Sequence, residues 1–168
     1  MKKNALIIFL SLLMLTLFTW FVGYFPAIEM KPDVILILIV YIAISSDNVS
    51  DIFVAFMLGY FFDVFSGSSG GLFAMLRTVT FVVARYLNMN FFSKNLLFFV
   101  VTTFIISIFD SIYLGYQFSN GTDGFWYILK DSIYISIINA LTALFMYRLF
   151  TRIERFSRID RRKTERGY

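Results

Sequence analysis

The sequence predicts an all-α integral membrane protein built as a six-helix transmembrane bundle. Composition, recurring apolar runs and the placement of basic residues carry this expectation. Of its 168 residues, 59% are hydrophobic and 15% charged, against about 45–50% and about 25% in soluble domains. Its 22 Phe residues alone bring more apolar surface than a soluble fold of this size readily buries. Long apolar runs recur along the chain, separated by breaks of Gly, Pro, Asn, Asp and Ser. Basic residues gather at both ends, as the positive-inside rule leads one to look for.

The first segment covers residues 5–25, an apolar run of 21 residues preceded by Lys2 and Lys3. At about 1.5 Å per residue it spans a hydrocarbon core of about 30 Å. It is too long for the usual apolar region of a signal peptide and no small-x-small cleavage site follows, so an uncleaved helix is expected. Segments two and three, at 34–46 and 52–65, fall short of the roughly 17–25 residues of an ordinary span. Two short crossings and one re-entrant hairpin both preserve the parity of the chain. Segments four, five and six cover 72–87, 96–116 and 132–150. Residues 117–131 read as the longest outer loop, with Phe125, Trp126 and Tyr127 as an aromatic interfacial anchor.

Charge sets the orientation. Lys2 and Lys3 place the N-terminus in the cytoplasm, and the basic residues 151–168 place the C-terminus there too. Both ends inside require an even number of crossings. Arg85 and Lys94 then flank a cytoplasmic loop. The tail continues a helical pattern, with Arg152, Arg155 and Arg162 on a basic face suited to anionic lipid or a cytoplasmic partner. So short a tether argues against nucleic-acid binding.

The chain has neither Cys nor His. Thiol nucleophiles, disulfides, the usual zinc and haem sites and a serine triad are excluded. No catalytic, cofactor-binding or metal-binding residue is expected. The informative polar residues are those inside the apolar segments, where charges are costly and mark structure or function. Arg77 and Asp110 each lie six residues from the outer end of their segment, a common depth of about 9 Å. They are expected to pair, with Asn139 near the same level. Thr103, Ser107 and Asp110 share one helical face, and Ser132, Ser136, Asn139 and Ala143 share another. The polar cluster so formed is either a structural network or the lining of a small-ligand cavity. On segment three, Ala55 and Gly59 form a small-x-x-x-small pair suited to close helix packing. Asp63 precedes a Ser/Gly-rich turn and is expected to cap it or the next helix.

These motifs resemble those of the MreD family of bacterial rod-shape proteins. Pro32 and Asp33 open an aliphatic run, and Gly59-x-x-x-Asp63 is followed by Gly67 and by Gly70-Gly71-Leu72. The resemblance implies a non-enzymatic scaffold of the bacterial inner membrane. Its implied partners are MreC, the filament protein MreB, and through them RodA and its penicillin-binding transpeptidase. It also implies a fold resembling the substrate-binding component of energy-coupling-factor transporters. The alternative function is therefore a subunit for uptake of a vitamin or precursor. Against that alternative, the Ala-x-x-x-Ala docking pair usual in the first helix of such subunits is missing, since Ala5 is the only Ala before Ala27.

Overall fold

The computed structural model describes residues 32–45, 48–66, 70–91, 95–119 and 124–165. The first predicted segment, 5–25, lies outside the described residues, as does Gly67. The described residues are all-helical: α1 (Val34–Ser45), α2 (Asp51–Ser66), α3 (Leu72–Phe91), α4 (Leu96–Phe118) and α5 (Phe125–Glu165). Three of these carry stretches long and apolar enough to cross a membrane: Leu72–Phe91, Leu96–Phe118 and Phe125–Arg152. Residues 32–143 form one compact unit, which contains the polar cluster.

Helix α1 is short and apolar throughout. Its sequence, VILILIVYIAI, is apolar on every side, so no face prefers solvent or headgroups. Each residue from Val34 to Ile44 is buried, none more than 8% exposed. At 12 residues the helix is about 18 Å long, well short of the roughly 30 Å hydrocarbon core. It packs against α2, α3 and α4. Both of its ends are met by α3. Asp33 at the start bonds to Arg77, and the Ile44 carbonyl near the end accepts from Asn88 Nδ2 at 3.2 Å. The two pairs advance together along both chains, so α1 and α3 run parallel with α2 returning between them.

The α2–α3 pair is the most extensive contact among these helices. Asp51, Ala55, Gly59 and Asp63, spaced one turn apart, are all buried, while Phe53, Met57, Phe61 and Phe65 on other faces are exposed. At Gly59 the backbones nearly touch. A Cβ there would stand 2.5 Å from the Phe73 carbonyl oxygen and 2.6 Å from Ala74 Cα. The sharp return between α2 and α3 uses Gly70 and Gly71, whose φ angles of 126° and 72° are open mainly to glycine.

One loop is shorter than the sequence suggests. Residues 125–131 are the first turns of α5, not part of an outer loop covering 117–131. Phe125, Trp126 and Tyr127 are exposed on that helical start. Residues 125–165 contain neither Gly nor Pro, so nothing breaks the helix where polarity alone suggested a loop. Helix α5 then runs to Glu165 and includes Arg152, which is exposed, as well as positions 155 and 162.

Candidate functional site

The polar cluster is assembled from four helices. Arg77, one and a half turns into α3, is 2% exposed. Its Nη1 donates to Asp110 Oδ2 on α4, and its Nη2 donates to Asp33 Oδ2 at the start of α1. The Phe73 ring, one turn earlier on α3, lies 5.9 Å from the guanidinium carbon and adds a weak cation–π contact. Arginine suits this position because its rigid fork can serve two carboxylates at once. Arg77 Nε is buried without a hydrogen-bond partner among the described residues.

Asn139 on α5 completes the cluster. Its Oδ1 accepts the Asp33 backbone N–H at 2.7 Å and its Nδ2 donates to Ser107 Oγ on α4 at 2.7 Å. Asp33 is therefore used three times. Its backbone N–H reaches Asn139, its Oδ1 caps α1 by accepting the Leu36 N–H at 2.9 Å, and its Oδ2 takes the Arg77 bond. A chain of hydrogen bonds thus ties α1, α3, α4 and α5 at one level of the bundle.

The two predicted polar faces are both buried: Thr103, Ser107 and Asp110 on α4, and Ser132, Ser136, Asn139 and Ala143 on α5. Only part of each enters the shared network. Thr103 Oγ1 donates to the Phe99 carbonyl at 2.8 Å, and Ser136 Oγ donates to the Ser132 carbonyl at 2.7 Å. These hydroxyls satisfy themselves on their own helices. Ser107 and Asn139 instead reach across.

Asp63 works at a second position. Its carboxylate accepts the Phe73 N–H at 3.1 Å and the Ala74 N–H at 2.9 Å. These are orphan donors of the first turn of α3, where an anion is favoured. Asp63→Ala should lower stability by about 1–2 kcal/mol, read as a fall in the thermal midpoint of the detergent-purified protein. Asp63→Asn should lose less, because one acceptor oxygen remains. Gly59 and Asp63 together explain the motif around the turn: the glycine lets α3 approach, and the acid caps it.

Pairing of Asp33 with Arg77 does not follow from the depth comparison that pointed to Asp110. Asp33 looked like part of the break before α1. The overlooked signal was its place as the N-cap of a helix too short to reach both surfaces, which sets that helix end at the level of Arg77. The third member has a consequence for mutagenesis. Exchanging Arg77→Asp with Asp110→Arg places a new carboxylate against Asp33, so recovery of stability should stay partial until Asp33 is neutralised as well. Thermal unfolding of the double and triple variants checks this.

Among the described residues, no group of three or more acidic side chains is placed to hold a metal ion. Pro32 is partly exposed beside Asp33.

No curated protein and no solved structure matches the chain, so the expected likeness in fold to a transporter component finds no support. A family model described as rod shape-determining protein MreD matches residues 2–155. That match spans the cluster, the Gly59–Asp63 motif, α1 to α4 and α5 as far as residue 155, and the chain accordingly belongs to the MreD family of rod shape-determining membrane proteins.

Proposed function

We propose that this protein is a non-enzymatic scaffold of the bacterial cell-elongation machinery. In this reading it sits in the inner membrane, binds MreC, and helps couple MreB filaments to lateral peptidoglycan synthesis by RodA and its transpeptidase. Membership of the MreD family carries the proposal. The Arg77 cluster supports it physically. Its polar groups hydrogen-bond to one another across four helices, which favours a rigid body for partner contact over a turnover site.

Six crossings with both termini in the cytoplasm, residues 1–150 forming the membrane domain and 151–168 a basic tail, belong to the same proposal. Reporter fusions at Asn48 and Lys94 should then report the same, cytoplasmic side. Opposite sides would rule out six crossings. The tail's Arg152, Arg155 and Arg162 are placed to meet anionic lipid or a cytoplasmic partner.

Co-purification from detergent tests the partner assignment. Tagged protein should retain full-length MreC through washing. A tightly bound vitamin or precursor with no MreC would favour the uptake alternative instead.

A further inference from the structure

A groove of about 980 Å³ opens between α3 and α4. Met75, Val79 and Val83 on α3 and Phe109, Ile112 and Tyr113 on α4 line it. Met75 is 69% exposed and Phe109 70%, so the groove opens sideways from the bundle rather than into its core. At one end stand Gly70 and Gly71, which bring no side chain to narrow the mouth. The lining runs from Leu72 to Val83 on α3, about three helical turns. That is room for a row of side chains from one packed helix.

One acid lines this groove, Asp110. It belongs to a cluster in which one guanidinium serves two carboxylates. The two acids are not compensated equally. Asp33 has a side chain 29% exposed and caps α1, where the helix dipole favours a negative charge. Asp110 has a side chain only 9% exposed and lies within α4, bonded through Oδ2 to Arg77. Its other oxygen has no hydrogen-bond partner among the described residues. An under-compensated carboxylate beside a lipid-facing groove is costly. Acyl chains filling the groove would leave the cost in place, since they carry no donor. A polypeptide helix can relieve it.

We infer that the α3–α4 groove is the docking site for one transmembrane helix of a partner protein. That helix carries a basic or hydrogen-bond-donating side chain which reaches Asp110. Asp110 lies eight positions before the end of α4, so the donor belongs about 12 Å along the groove from that end. This inference rests on the partner reading above and adds where the partner binds and by what chemistry.

The chain has no Cys, so single thiols can be placed cleanly. Val79→Cys puts one in the groove, and Phe53→Cys puts one on α2, where Phe53 is 70% exposed. Full-length MreC, with one Cys scanned along its membrane helix, is the probe, and oxidative crosslinks are scored in membranes. Val79→Cys should give adducts at helically spaced MreC positions and Phe53→Cys about tenfold fewer. Val79→Trp places bulk in the groove while replacing no residue of the Arg77 cluster and should lower co-purified MreC about tenfold. Asp110→Asn, compared at equal amounts of folded protein, should do the same. Equal crosslinking from both positions, adducts only to a second copy of this chain, or undiminished capture by Val79→Trp would overturn the groove and leave MreC binding standing. Undiminished capture by folded Asp110→Asn would overturn the donor contact. Absence of MreC from the wild-type preparation would overturn the partner reading and this inference with it.

Discussion

Arg77→Met is expected to destabilise the protein by about 3–5 kcal/mol, the usual cost of removing one partner from a buried ion pair. The physical reason lies in what remains. Asp33 and Asp110 would face each other's charge without the guanidinium that now joins them, and Asp110 would stay buried. A loss of that size is a large part of the roughly 5–15 kcal/mol that holds an ordinary domain folded. The variant should therefore accumulate poorly in membranes and unfold at a lower temperature in detergent. Arg77→Lys should recover little, since a single ammonium cannot bridge two carboxylates on different helices as a planar fork does. Adding Asp110→Asn to Arg77→Met should restore part of the loss by removing a stranded charge. If Arg77→Met unfolds at the wild-type temperature, the cluster does not hold the bundle together.

Gly59 is the second sensitive position. Gly59→Ala should cost about 1–3 kcal/mol. The new Cβ would meet the Phe73 carbonyl oxygen at 2.5 Å, Ala74 Cα at 2.6 Å and the Phe73 carbonyl carbon at 2.8 Å. All three atoms are backbone, so no side chain can swing aside. Relief requires α2 and α3 to separate, which also pulls Asp63 away from the Phe73 and Ala74 N–H groups it caps. The two effects are coupled, so Gly59→Ala and Asp63→Ala should combine non-additively. Thermal midpoints of the two single variants and the double variant measure that coupling. Gly115 offers a control of different character. A Cβ there would meet Ile128 Cγ2 at 2.7 Å, a side-chain atom that can rotate, so Gly115→Ala should cost less than Gly59→Ala.

Much of the local structure could be read along the chain because it depends on local chemistry. Breaks at Pro32, the Asn48–Ser50 turn, Gly70-Gly71 and Asn95 coincide with the starts of α1 to α4 to within about two residues. The start of α5 could not be read this way. Residues 125–131 mix aromatics with Lys130 and Asp131, a pattern equally suited to an interfacial loop or to an exposed helical turn. Similarly, the low polarity of 34–46 did not distinguish a membrane span from a buried central helix, because an all-round apolar helix satisfies both descriptions.

Sequence alone determined that the described residues are helical and that the chain is rich in apolar residues, and that its few buried charges would be those worth finding. It also determined the chemistry that is excluded, since residue types that are absent cannot react. Helix spacing was enough to put Thr103, Ser107 and Asp110 on one face, and Ser132, Ser136 and Asn139 on another. Only the tertiary structure decided which faces meet. It brought Asp33 to Arg77, split one guanidinium between two acids, made Asn139 the link from α1 to α4, and left Asp110 lining an open groove. The physical reason is that periodicity describes one helix about its own axis. The partners of a side chain depend on how several helices are shifted and turned against one another, and those shifts are set here by a glycine contact and a short central helix.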